Sequence, residues 1–478
     1  MLPPFIEHHR SHAKPRSREH GFTMALVAVG LVTIIAMAAL AIDLGTLYQA
    51  KGEAQRAADA AALTAARMIS ISGITGDPTN VSNSWQPICG GAASAATLAA
   101  IKVAQQNLIG GAAATSANVS VKYGAGSAGA SAANCTAAGA GFGVNPVVSV
   151  TVISAKLPIF FARVFSLFPG GNYANTTTSA TATAEVFNSS NSETVDASAT
   201  LTPVQPRCVK PLIIPNVDPT NGVTPFINLA SGAISNSGVY PNGVIGETFI
   251  LTADCRRGRP NCYGGNLINQ TPPSGGGTID YVPALVQGTP VAVPSCATAD
   301  NFQEAVGGCD QTTLYTCGTP AGAGSTQVDL TENPINPGSE AGDTGTAVQC
   351  LINAAGEGLG NGQDQLNTGT FPFQIQAGTS NPLAQNGLVA NNGIITASNS
   401  IVTLPIFDST VPLPAGVQQP NVTIVGFLQV FIQELNGNGH PVVYVLNVAG
   451  CGNGQITTVS PNPIFGTSPV PIRLITPP

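Results

Sequence analysis

The sequence predicts an α+β protein: an N-terminal transmembrane helix running on into a helix-plus-sheet module, then a β-rich domain tied by disulfides. Three observations carry that expectation. An uncharged apolar run, Met24 to Ile42, is followed without a break by an alanine-rich helical pattern. Strand patterns alternating with period two dominate after position 119. Ten cysteines all lie beyond the apolar run.

The run of 19 residues covers about 28 Å at helical rise, roughly the hydrocarbon thickness of a bilayer. Arg10, Lys14, Arg16 and Arg18 precede it, offset by Glu7 and Glu19. This basic arm, residues 1–20, predicts a cytoplasmic N-terminus and an exported body from about residue 43 onward. A cleaved secretory signal with Ala39-Leu40-Ala41 as its small-x-small site is the competing reading. The helical pattern continues past Ala41, however, whereas signal peptides end in extended, helix-poor segments. A buried core helix fits neither the length nor the basic flank.

The helix is expected over 22–70, its second half projecting about 40 Å from the bilayer. Ala54, Ala58, Ala61 and Ala65 form a small-residue face, suited to packing on the module's own sheet or on another subunit. Gly73 and the Gly76-Asp77-Pro78 turn end it. A second helix is expected over 93–109, then a Gly/Ala/Ser-rich loop at 124–141. Strands are expected at Val119 to Tyr123, Val147 to Ile153 and Thr177 to Phe187, with a short crossing at 157–165. These elements form one module, 43–187. Residues 188–200 read as a linker. Residues 201–478 read as a separate β-rich domain with strands at Ile401 to Phe407, Val422 to Ile432 and Val442 to Val448. Asn436 to Gly439 gives a hairpin turn, and Thr346 to Ala355 the one helix.

Charge is divided. Residues 1–187 hold 11 Lys/Arg against 7 Asp/Glu, and residues 188–478 hold 6 against 17. The acidic half argues against a nucleic-acid partner. With 54 glycines, 37 prolines and 9 % charged residues, the composition suits a loop-rich extracytoplasmic protein. Cys89, Cys135, Cys208, Cys255, Cys262, Cys296, Cys309, Cys317, Cys350 and Cys451 are candidate disulfide partners. Local pairs such as Cys255–Cys262 and Cys309–Cys317 fit the spacing, which by itself does not fix connectivity. Zinc is disfavoured, because Cys-x-x-Cys is absent and His440 is the lone histidine outside the arm.

The same inventory argues against an enzyme. His440 reads as a hairpin residue rather than a triad member. Gly275-Gly276-Gly277 lacks the Lys-Ser/Thr of a phosphate loop. Glu357 and Asp364 supply the carboxylates of a glycosidase but nothing more. Asp329, Glu332 and Asp343 are a conceivable Ca²⁺ set, with a solvated loop the simpler reading. No cofactor or catalytic residue is expected.

The stretch from Gly21 to Arg67 resembles the N-terminal region of Flp pilus-assembly proteins of the TadE/TadG type. The residues that carry the resemblance are the span, Ala41-Ile42-Asp43-Leu44-Gly45-Thr46-Leu47-Tyr48 at its outer edge, and Ala57-Ala58-Asp59-Ala60-Ala61-Ala62-Leu63. Asp43, Gly45, Tyr48, Asp59 and Leu63 mark the motif. Gly21-Phe22 resembles a prepilin cleavage junction, although Leu26 stands where pilins usually carry Glu. Asp196-Ala197-Ser198 does not make the von Willebrand metal loop that some TadG-type proteins have, since no hydrophobic strand precedes it.

The resemblance implies a pilin-like module in the bacterial inner membrane, with the bulk of the chain periplasmic or extracellular. The implied role is structural or assembly work in a Flp/Tad pilus, and the implied partners are the lipid bilayer and other pilus proteins or pilin subunits. An anchored adhesin or binding module is the alternative, and a hydrolase the weakest.

Overall fold

The structure is a computed structural model. It describes residues 20–76, 85–126, 129–143, 146–154, 157, 177–186, 208–253 (except 221, 231–233 and 237), 277–287, 300–315 (except 311 and 314), 326–332, 342–451 (except 371, 372, 396 and 415), 470 and 472–475.

Helix α1, His20–Ser70, is continuous over 51 residues, about 75 Å at helical rise. Apolar side chains occupy every face of the stretch from Phe22 to Ile42, and none of them is buried. A helix that is apolar all round is stable only when lipid or protein surrounds it. The second half changes character: Ala50, Ala54, Ala57, Ala58, Ala61, Ala62, Ala65 and Ala66 are all buried. Gly73 at φ +77° ends the helix in the left-handed region that an L side chain resists. Ser70 Oγ and Ser72 Oγ donate back to the carbonyls of Arg67 and Ile69, at 3.0 and 2.6 Å.

Two helices, α2 at Trp85–Cys89 and α3 at Ala95–Gln106, follow. A small hairpin of β1, Leu108–Ile109, and β2, Ala112–Ala113, leads into the first sheet. Its strands are β3 (Val119–Ala125), β4 (Ala130–Ala132), β5 (Pro146–Ser154) and β6 (Thr178–Val186). β4 lies within 124–141, a stretch expected to be all loop. It pairs with β3 next to Gly124, where a Cβ would stand 1.8 Å from the Gly129 carbonyl oxygen. Only a glycine permits that approach. Between the sheet and α3, Trp85 and Tyr123 meet Phe142 edge-on, with ring centroids 5.7 and 5.9 Å apart.

The C-terminal half is built around a six-stranded closed barrel. Its strands are β7 (Leu212–Pro215), β8 (Thr248–Ala253), β9 (Thr278–Pro283), β14 (Ile401–Phe407), β16 (Ile424–Leu435) and β17 (Pro441–Gly450). They close in the order β14-β16-β17-β8-β9-β7, with β8–β9 and β7–β14 parallel. Leu404, Leu428, Val430, Val443 and Phe249 fill the interior. The long β16–β17 hairpin turns where expected, at Asn436 to Gly439. There Asn436 Oδ1 accepts from the amides of Asn438 and His440, both at 3.0 Å.

The remaining elements decorate the barrel. Helix α4 (Asn301–Gly307) packs beside α5 (Gly342–Leu351), and β10 (Thr326–Gln327) pairs with β15 (Asn421–Val422). Strands β11 (Gln365–Asn367), β12 (Gln374–Gln376) and β13 (Ile394–Ile395), with helix α6 (Pro382–Gln385), form a small outer layer.

Several boundaries differ from expectation. The helix expected at 346–355 is α5, four residues earlier, and it is not the only one in this half. The run expected as one strand at 422–432 breaks at Thr423 and extends to Leu435. It carries register shifts at Gln429/Val430 and Ile432/Glu434, which let a long strand curve around a narrow barrel. Strand β18, Ile472–Ile475, lies in the range expected for the second domain, yet it pairs antiparallel with β6 and forms the edge of the first sheet. The crossing at 157–165, apart from buried Leu157, and the linker at 188–200 fall outside the described residues.

Candidate functional site: the anchoring helix and its seat

The site that the sequence singles out is α1. Its small-residue face is occupied within the chain. Ala54, Ala58, Ala61 and Ala65 are fully buried against α3 and strands β5 and β6. β6 presents its own alanines, Ala180, Ala182 and Ala184, all buried in the same core. Alanine facing alanine brings the helix close to the sheet. At that range polar groups bridge the rim: Lys51 Nζ donates to the Ser179 carbonyl, and Gln55 Nε2 to that of Thr181 at 3.4 Å. Of the two partners open on sequence grounds, sheet or subunit, the structure supplies the sheet.

The motif residues separate by role. Asp43 is 2 % exposed although Ile42 and Leu44 beside it are open. Its carbonyl accepts from Thr46 Oγ1 at 2.7 Å. Gly45 has nothing within 4 Å of an added Cβ, so no close approach demands a glycine there. Tyr48 is 72 % exposed, in line with exposed Leu40 and Leu44 at four-residue steps. Six residues past Ile42, Tyr48 stands about 9 Å beyond the apolar run, the level at which aromatic rings sit in the bilayer interface. Asp59 accepts from Gln55 Nε2 at 2.8 Å, and Leu63 packs at the edge of the core. Gly21 and Phe22 lie in the first turn of α1, with Phe22 exposed.

The far end of α1 is held by the barrel. Asn447 Nδ2 on β17 donates to the Ser70 carbonyl at 2.9 Å and to Thr75 Oγ1 at 3.0 Å. Terminal carbonyls of a helix have no partner within the helix, so this asparagine caps α1 from 377 residues away. A Cβ on Gly73 would lie 2.5 Å from Ile245 Cγ2 and 3.2 Å from the Leu446 carbonyl oxygen, which shows how closely the two halves meet. Arg473 on β18 pairs with buried Glu185 on β6. Local sequence patterns carried no signal for Asn447, Glu185 or Arg473, because each acts on a residue hundreds of positions away.

Cys89 is joined to Cys135 with Cα atoms 5.4 Å apart, and Cys208 to Cys309 at 4.4 Å. The second bond replaces the local Cys309–Cys317 pair suggested by spacing. The Cys208 amide donates to the Asp310 carbonyl at 3.3 Å, so the chain ahead of β7 lies along the end of α4. Cys350 and Cys451 are also disulfide-bonded. Cys255, Cys262, Cys296 and Cys317 lie outside the described residues, as do Asp196 to Ser198.

The other candidates have structural duties. Asp364 accepts from Gly378 N and Asn381 Nδ2 at 2.9 Å and from Ser398 Oγ at 2.5 Å, closing the outer layer, whereas Glu357 is exposed in a tight turn. Gly277 lies against the barrel, its carbonyl accepting from Ile250 N at 2.8 Å. Asp329 caps its own turn by accepting from Thr331 N at 2.9 Å. Glu332 and Asp343 do converge, but with Asp300 rather than Asp329. Asp300 was missed, although Asp300-Asn301-Phe302-Gln303 has capping-box form and its carboxylate accepts from Gln303 N at 2.7 Å.

No curated protein and no solved structure matches the chain. Residues 21–68, helix α1 as far as its last turn, match the family model of putative Flp pilus-assembly TadE/G-like proteins.

Proposed function

We propose that this chain is a membrane-anchored, non-catalytic structural or assembly component of a bacterial Flp/Tad-type pilus. The observation that carries the reading is the match over 21–68, coincident with a helix whose first half is open to lipid and whose second half is the core of a folded module. The basic arm supports a cytoplasmic N-terminus and an exported body. The disulfide bonds suit an oxidising compartment. Because the alanine face of α1 is filled from within, the helix serves to hold a rigid body at the membrane surface. Contacts with pilus partners then fall to the span itself and to the surfaces of the body.

The test is to extract the tagged full-length chain from its native membrane in mild detergent and identify what accompanies it. Recovery of pilus platform, motor or pilin proteins supports the proposal. Recovery of the chain alone, under conditions that keep other pilus subcomplexes together, contradicts it.

A further inference from the structure

Three carboxylates from separate segments meet beside the barrel: Asp300 ahead of α4, Glu332 after β10 and Asp343 at the start of α5. One oxygen from each lies within 4.8 Å of the other two, and all three residues are half-buried. Three carboxylates this close repel one another when ionised, and a divalent cation between them would relieve that repulsion.

A second observation is independent of the carboxylates. Gln303 is 8 % exposed, and its Nε2 donates to Asp343 Oδ1, so the amide head lies in the cluster. Its other atom, Oε1, is buried with no hydrogen-bond partner among the described residues. A buried amide oxygen left unmatched costs about 1–3 kcal/mol, and a bound cation would satisfy it. Every donor is oxygen, from carboxylates and an amide, with neither thiolate nor imidazole. That set suits a hard ion, and the number and spread of donors suit Ca²⁺ better than the smaller, strictly octahedral Mg²⁺.

We propose that Asp300, Glu332, Asp343 and the Gln303 amide oxygen form a Ca²⁺-binding site that fastens α4 and α5 to the chain following β10. The proposal is independent of the pilus reading and requires only the folded C-terminal half. Tyr281 gives it an optical handle. Its hydroxyl lies 2.7 Å from Thr344 Oγ1, on the residue after Asp343, close enough for the ring to sensitise a lanthanide at the site.

The test uses the full chain in detergent, stripped with chelator and titrated with Tb³⁺ and then with Ca²⁺. The wild type should show tyrosine-sensitised Tb³⁺ emission that saturates at one ion per chain and is displaced by Ca²⁺ in preference to Mg²⁺. Tyr281→Phe should lose most of the emission yet keep Ca²⁺ binding by calorimetry. Glu332→Gln and Asp343→Asn should each weaken Ca²⁺ binding by more than about tenfold, with unchanged circular dichroism showing that they fold. If Asp343→Asn fails to fold, Glu332→Gln, on a residue outside the helices, decides alone. Absence of saturable Ca²⁺ binding by the wild type, equal displacement by Mg²⁺, or unchanged affinity in folded Glu332→Gln overturns the proposal.

Discussion

Ala58→Leu tests whether α1 is seated on its own sheet. Ala58 is fully buried in a core whose facing strand contributes Ala180, Ala182 and Ala184. Leucine adds three carbon atoms where alanine meets alanine, and they enter only if the helix lifts off β6. Overpacking of this kind costs about 1–3 kcal/mol. The matched control is Arg56→Leu, two residues away on the exposed side of the same helix. Arginine and leucine have similar helix propensities, so the control should stay within about 0.5 kcal/mol of the wild type. Trp85, the one tryptophan in the chain and buried in the same core, reports unfolding by its fluorescence. With a urea slope of about 1–3 kcal/mol/M, Ala58→Leu should lower the midpoint by roughly 0.5–2 M and Arg56→Leu should not. Equal midpoints for the two variants would refute the seating of the alanine face.

The remaining predictions concern topology, redox chemistry and pH. A reporter active only in the periplasm, fused after Ile69, should function, while one active only in the cytoplasm should not. The opposite result reverses the orientation, and a mature N-terminus at Ile42 would mark a cleaved signal instead. Peptide mapping without reductant should recover Cys89–Cys135 and Cys208–Cys309, whose separations of 46 and 101 residues imply about 4–5 kcal/mol of stabilisation each in the chain-entropy picture. Free thiols at these four positions would contradict it. Burial, together with the charge of Asp218, pushes the Glu247 carboxyl up to about 8. The folded state therefore holds a proton that the unfolded chain releases near 4.5. The stability this group contributes is complete below about pH 4.5 and is lost as the pH rises through about 8. Relative to the wild type, Glu247→Gln should thus gain stability steadily across that window in denaturant titrations at fixed pH. A constant gap would show that Glu247 does not hold the proton.

What was legible in the sequence was local. The apolar run, the continuous helix and the edges of β3, β5, β6, β14 and β17 follow from patterns within a dozen residues. The Asn436–Gly439 hairpin follows from its turn chemistry. Contacts across long separations were not legible. Ile472–Ile475 shows no more strand signal than other short apolar stretches, and its place on β6 depends on a return path that only the fold supplies. Cys309 has a cysteine eight residues away that fits a local pair, but the path of the chain ahead of β7 brings Cys208 to it instead. The acidic residues illustrate both cases. Glu332 and Asp343 stood out by composition, whereas Asp300 completes the cluster because α4 and α5 pack side by side.

The proposed pilus role requires that cells need this chain to make pili. The most direct measurement is the amount of surface pilus in cells that lack the chain, scored by electron microscopy and by the yield of sheared pilin. Pili should be lost and should return with the full-length chain, but not with a version lacking Met24 to Ile42. Normal piliation without the chain would contradict it. Normal pili with impaired attachment would point instead to an anchored adhesin.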